Sequence, residues 1–226
     1  MNKKVVVFCL LLLPISSIGQ NIQNCRCIDS LKQINHLDSL KIRFGKNKTI
    51  PNHLLISSLL ALAYFPELQS QRIRFKETGI KTTLNARPSI LSLFRFNKSK
   101  RKYIIRVNNK TNEEIVSVYR VPFNAQIGLL GHEFAHIVDY QQKNFFGVIK
   151  RAFSYLSEKS KKKFEHEIDN LTIKSGLGWQ LYDWSYYILN QSNATEEYKQ
   201  FKREIYLTPE QILTAMQKSG FTIGSN

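Results

Sequence analysis

Acidic residues are scarce in this chain of 226 residues: 17 stand against 33 lysines and arginines, for a formal net charge of +16. A surface this basic attracts acidic lipid or polysaccharide. Nucleic acid is not expected, because the lysine clusters at Lys98 to Lys102 and Lys161 to Lys163 lack the interleaved aromatics of a single-strand groove. Cysteine is also rare. Beyond Cys9 only Cys25 and Cys27 remain, too few for a disulfide framework. A bridge between them would be strained by the single intervening residue; a bridge to another chain and a pair of free thiols are equal alternatives. Past the first twenty residues no apolar run approaches the ~20 needed to cross a bilayer. There is no internal repeat and no low-complexity linker. The apolar share of 42% with 22% charged residues is that of a folded globular protein and excludes disorder as the default.

The amino terminus is organised differently. Met1-Asn2-Lys3-Lys4 is basic, Val5 to Ile15 is apolar apart from Pro14, and Ser17 and Gly19 place small residues before a cut at Gln20. That pattern is a secretory signal peptide over residues 1–19, so the mature protein is expected to be exported, to periplasm or extracellular space, with no transmembrane segment left. Phe8 before Cys9 argues against a lipoprotein cleavage site.

Residues 20–66 read as a helical lead-in. Ile28, Leu31, Ile34, Leu37 and Leu40 recur at helical spacing, and a second helix rich in leucine follows Pro51 and ends near Pro66. The period then shortens. Arg72 to Lys76 and Tyr103 to Val107 alternate, Glu114 to Val121 is rich in β-branched residues, and Asn108 to Asn112 reads as a hairpin turn. From Phe123 onward the pattern is helical, and Thr208-Pro209-Glu210-Gln211 is a capping box opening a last helix through about Met216. The order predicts an α+β fold: a small, mostly antiparallel sheet packed on a helix, then a helical C-terminal half.

The chemistry lies in that first long helix, expected over Asn124 to Tyr140. His132-Glu133-Phe134-Ala135-His136 puts two imidazoles one helical turn apart, on one side, where both can grip one ion. Glu133, about 100° round the helix, can reach a metal-activated water without being a ligand. Ile127, Leu130, Phe134 and Val138 form an apolar face, and Gly128, Gly131 and Ala135 a strip of small residues that predicts a close neighbour. A catalytic zinc site takes a third protein ligand. Glu165, His166 and Glu167 are the candidates. Glu165 and Asp169 are four apart on a helix, so one can bind metal while the other orients a histidine. In the segment Gly176 to Trp184, with Tyr186 beyond it, Trp179, Tyr182 or Tyr186 could line a substrate pocket or stabilise an oxyanion. Simple packing under the metal-site helix would equally account for them.

HExxH followed by a helical ExxxD resembles the gluzincin metallopeptidases, of the CAAX-prenyl-protease and HtpX type but without their membrane helices, and closer to the small minigluzincins. The resemblance covers residues from about 100 to 185, and Ile168 stands where those proteases usually have alanine. It implies a zincin-like domain over 67–226 that hydrolyses peptide or protein substrates. It further implies Zn²⁺ held by His132, His136 and Glu165, with Glu133 as general base, Asp169 contacting the histidine region, and a substrate lying along the strand Tyr103 to Val107 or its partner. The alternatives are a non-catalytic zinc-binding protein with this fold and a basic cell-surface interaction module.

Overall fold

A computed structural model describes residues 25–93, 98–110 and 115–221. Residues 1–19, the expected signal peptide, lie outside the described residues. Two short helices, α1 (Ser30–Ile34) and α2 (Leu37–Phe44), lead to a two-residue strand β1 (Lys48–Thr49) and to helix α3 (Leu55–Leu62). Three strands follow, β2 (Arg72–Thr78), β3 (Leu84–Pro88) and β4 (Lys102–Asn108), with the single-turn helix α4 (Ile90–Leu93) between the last two. Six helices complete the chain: α5 (Phe123–Gln142), α6 (Phe145–Phe153), α7 (Glu158–Thr172), α8 (Gly178–Tyr186), α9 (Glu196–Ile205) and α10 (Pro209–Lys218). The last opens on the expected capping box, with Thr208 and Gln211 bonded reciprocally.

The α+β architecture is observed, but the sheet is mixed rather than mostly antiparallel. Its order is β1-β2-β4-β3. β1 runs parallel to β2, β2 parallel to β4, and only β3 is antiparallel, pairing Leu84 with Val107 and Pro88 with Tyr103. Alternation gives the face a residue occupies and not the direction of its neighbour, so β2 and β4 were legible while their parallel pairing was not. The β-branched stretch Glu114 to Val121 forms no strand among its described residues. Val118–Arg120 is a 3-10 turn, and Val116 and Val118 are buried in the core. Nor do Asn108 to Lys110 turn into a paired strand, and residues 111–114 lie outside the description. The antiparallel strand is β3, whose Asn85, Ala86 and Pro88 are poor strand formers. Its pairing and its position at the sheet edge override that preference.

Helix α5 is the centre of the fold. It packs against α3, α7, α8 and β3, and Asn124 to Tyr140 is buried apart from Gln126. The strip of small residues meets α8. A β-carbon added to Gly128 would sit 2.0 Å from the Gln180 carbonyl oxygen, and one added to Gly131 would sit 2.5 Å from Leu177 Cδ1. Glycine at 128 is therefore what lets the two backbones touch. The bend between α7 and α8 is made at Gly176, with φ 103°, a conformation that disfavours other residues. The C-terminal end of α5 is capped by Arg101, buried, whose Nη1 donates to the carbonyls of Tyr140 and Lys143 at 3.1 and 2.7 Å. At the other end, Asn124 Oδ1 accepts from Ile28 N at 3.1 Å and Gln180 Nε2 donates to the Cys25 carbonyl at 2.9 Å, so the lead-in is tied to α5 and α8. Cys25 and Cys27 are both free thiols.

Candidate metal centre

The imidazoles of His132 and His136 leave α5 on the side facing α7, and α7 sends Glu165 back between them. His132 Nε2 and His136 Nε2 are 3.1 Å apart. Each lies 3.2 Å from Glu165 Oε2. Ligand atoms set tetrahedrally about one ion at ~2.0–2.1 Å are roughly 3.3–3.4 Å from each other. The triangle therefore has nearly the edge length that a small tetrahedral cation imposes. One proton, by contrast, can bridge only one of its edges. All three side chains are buried, with relative exposures of 5%, 4% and 2%, and they form the single group of three or more candidate ligands found among the described residues.

Neighbouring groups hold these atoms in place. Asp169 Oδ1 accepts from His132 Nδ1 at 2.8 Å, which puts the donor proton on Nδ1 and turns Nε2 toward the triangle. Asp169 Oδ2 accepts from the Leu207 backbone N–H at 2.9 Å, anchoring the turn between α9 and α10 to the same carboxylate. Tyr155, whose ring is 44% exposed, turns its hydroxyl inward and donates to Glu165 Oε1 at 2.9 Å, leaving Oε2 free to face the imidazoles. Burial opposes a charge on His132, but Asp169 and Glu165 outweigh it and push its pKa up to about 10. Glu165 shows the reciprocal balance. Burial would raise it, yet His136 and His132 hold it well below the usual carboxylate range. The pocket thus demands positive charge at its centre, as a divalent cation would supply.

Glu133 lies beside the triangle and outside it. It is 4% exposed, and its Oε2 has no hydrogen-bond partner among the described residues. Burial raises its pKa, which makes the carboxylate more basic. With the three triangle residues it lines a cavity of about 450 Å³, walled on one side by β3 from Leu84 to Pro88 and on the other by Val148, Ala152 and Tyr155. β3 is an edge strand, so one of its backbone edges faces this cavity rather than another strand.

The other residues singled out in the sequence are elsewhere. Glu167 is 2.8 Å from Arg151 Nη1 and is not part of the triangle. His166 faces a separate surface pocket with Asn170 and Lys174. Trp179 and Tyr182 meet edge to face, with the Arg26 guanidinium 4.7 and 5.6 Å from their ring centroids, and Tyr182 and Tyr186 line a different depression with Arg26. None of the three lines the cavity of the triangle. The tyrosine that does so, besides Tyr140 and Tyr155, is Tyr206. Its ring centroid is 5.6 Å from that of His132, and burial followed by Glu165 holds its phenol well above the usual range, so it stays a donor. Tyr206 and Tyr155 carry no motif. The only sequence cue to Tyr206 is its place just ahead of the capping box at Thr208, and β3 was hidden by its composition.

No protein-family model matches the chain, a comparison with curated proteins finds no match, and one with solved structures finds none. The functional reading rests on the residues themselves.

Proposed function

We propose that this protein is an exported zinc metallopeptidase of gluzincin type, with His132, His136 and Glu165 as metal ligands and Glu133 as general base. The observation that carries the reading is the buried triangle of His132 Nε2, His136 Nε2 and Glu165 Oε2 with the partnerless carboxylate of Glu133 beside it, all on one cavity. Two nitrogens and one carboxylate oxygen are a donor set suited to zinc in a catalytic site, where three protein ligands leave one position open.

A bound zinc ion supplies Lewis acidity, which lowers the pKa of a coordinated water toward ~7 and polarises a substrate carbonyl. The chain's own residues do the rest. Asp169 keeps the His132 proton on Nδ1, and Tyr155 orients Glu165. Glu133 takes a proton from the attacking water and passes it to the leaving amine, a role its burial-raised basicity suits and which typically contributes about 10²–10⁴ in rate. Tyr206 donates to the oxygen on which negative charge develops. The free edge of β3 receives an extended peptide by main-chain hydrogen bonds, which aligns the scissile bond over Glu133.

Metal analysis of the purified protein tests the reading, comparing the unaltered chain with Glu165→Ala and Glu167→Ala. One zinc per chain is expected in the unaltered protein and in Glu167→Ala, with loss in Glu165→Ala. Peptide cleavage should be abolished by a chelator and restored by zinc. Absence of stoichiometric metal, or cleavage indifferent to chelation, would refute the assignment.

A further inference from the structure

Helix α6 carries apolar residues on more than the face it buries. Val148 is its buried residue, and Val148 and Ala152 turn toward the cavity of the metal centre. A second stripe, about 100° round the helix, is Phe146, Ile149 and Phe153, continued by Leu156 in the following turn. Phe146 is 76% exposed, Phe153 62% and Leu156 78%. Across the cavity, α4 contributes Leu93 to the wall and leaves Ile90 and Leu91 exposed at 66% and 84%. Five large apolar side chains are thus solvent-facing on the two segments that wall one cavity, a concentration that marks an interaction surface.

The charge around them names the partner. On residues 89–93, 98–100 and 143–160 the exposed charged side chains are Lys98, Lys100, Lys150 and Lys159, against Glu158 alone. The inward cation of α6, Arg151, is already committed. It holds Asp139 through Nε and Nη2 and Glu167 through Nη1, and its guanidinium covers the Phe164 ring at 4.4 Å. Arg151 therefore fixes α6 to α5 and α7, so that the apolar stripe is presented on a braced helix. Among these lysines Lys98 donates to the Gln142 carbonyl at 2.9 Å, and none is in an ion pair among the described residues. Aromatic and aliphatic side chains flanked by such lysines, on a helix too short to span, are the elements of a helix that lies in a lipid–water interface. Among the described residues no helix is long and apolar enough to cross a membrane.

We propose that the lips of this cavity, α6 with Leu156 on one side and α4 on the other, dock on an anionic lipid surface. Phe146, Phe153, Leu156, Ile90 and Leu91 enter the headgroup boundary, and the lysines meet lipid phosphates. This binding does not depend on the centre being a peptidase. It would set the open cavity against the membrane plane, and a formal charge that is still +14 without Lys3 and Lys4 (31 basic against 17 acidic residues) favours approach to such a surface over a neutral one.

Flotation with vesicles tests it, using the protein without residues 1–19, whose apolar run would itself partition into lipid. The protein is expected to float with phosphatidylcholine vesicles containing phosphatidylglycerol, less with phosphatidylcholine alone, and less again at high salt. The triple variant Phe146→Ser, Phe153→Ser, Leu156→Ser should lose partitioning by about tenfold or more, with an unchanged far-ultraviolet circular dichroism spectrum. As a second arm, Phe146→Trp retains an apolar side chain, and its emission should be quenched by lipids brominated in the acyl chain. Undiminished flotation of the triple variant, or no quenching of the introduced tryptophan, overturns the proposal. So does a chain that ignores vesicles and forms a dimer, by light scattering, which the same serine substitutions disperse. In that case the patch is a contact between copies.

Discussion

Asp169 joins two otherwise unrelated parts of the molecule, and replacing it with asparagine separates their contributions. The carboxylate accepts twice, from His132 Nδ1 at 2.8 Å and from Leu207 N at 2.9 Å. Asparagine offers one acceptor oxygen and one donor NH₂, so only one of these bonds can survive. If the oxygen stays with Leu207, the amide faces His132 Nδ1 and favours the tautomer with its proton on Nε2, where the metal should bind. If it stays with His132, a buried backbone N–H is orphaned at a cost of about 1–3 kcal/mol. Loss of such an orienting partner typically weakens metal affinity by about 10–100-fold, which is roughly 1.4–2.7 kcal/mol. Competition with a chromogenic chelator at neutral pH measures this directly, and denaturant melts of the metal-free protein measure the other outcome. Glu167→Gln, on the same helix but paired with Arg151, is the control and should leave metal affinity unchanged within about twofold. An Asp169→Asn protein with unaltered affinity and unaltered melting would show that the bridge does not support the site.

Glu133→Gln should keep the metal and lose hydrolysis by about 10²–10⁴; a metal-loaded, active variant would remove Glu133 from its role. Tyr206→Phe should lower kcat by about 10²-fold with metal content unchanged, and equal turnover would assign the oxyanion to another group. Gly128→Ala should destabilise the fold by about 1–3 kcal/mol or more, because the new β-carbon would lie 2.0 Å from the Gln180 carbonyl oxygen and α5 and α8 must part by over an ångström; thermal melts check this, and an unchanged melting temperature would contradict the packing. Because His132 in the metal-free protein holds its proton up to about pH 10, an incoming cation must displace it. Apparent affinity should therefore rise with pH by up to about tenfold per unit between pH 6 and 8, and a flat profile would count against the triangle as the binding site.

The His132–His136 pair was legible because its spacing and the helix period are both local, and the glycine strip is itself the mark of a close neighbour, which is α8 at Gly128. Which side of α7 faces that pair was not. Glu165, His166 and Glu167 differ only in helical phase, and that phase follows from how α7 packs against α5, with Phe164 against His136 and Tyr140. Such a contact joins segments distant in the chain, out of reach of any local pattern. β3 escaped notice for a related reason, since its strand character comes from pairing with β4 and closing the cavity, not from the residues Asn85, Ala86 and Pro88. Tyr206 is brought to the imidazoles by a turn that lies beyond both α8 and α9, held there through the Leu207 N–H to Asp169, a contact no spacing rule describes.

That contact also orders events in time. A polypeptide emerging from the ribosome presents the imidazole pair first and the carboxylate next, and the turn that steadies both follows only after α8 and α9 have been made. The triangle is thus braced after its three corners are already in place.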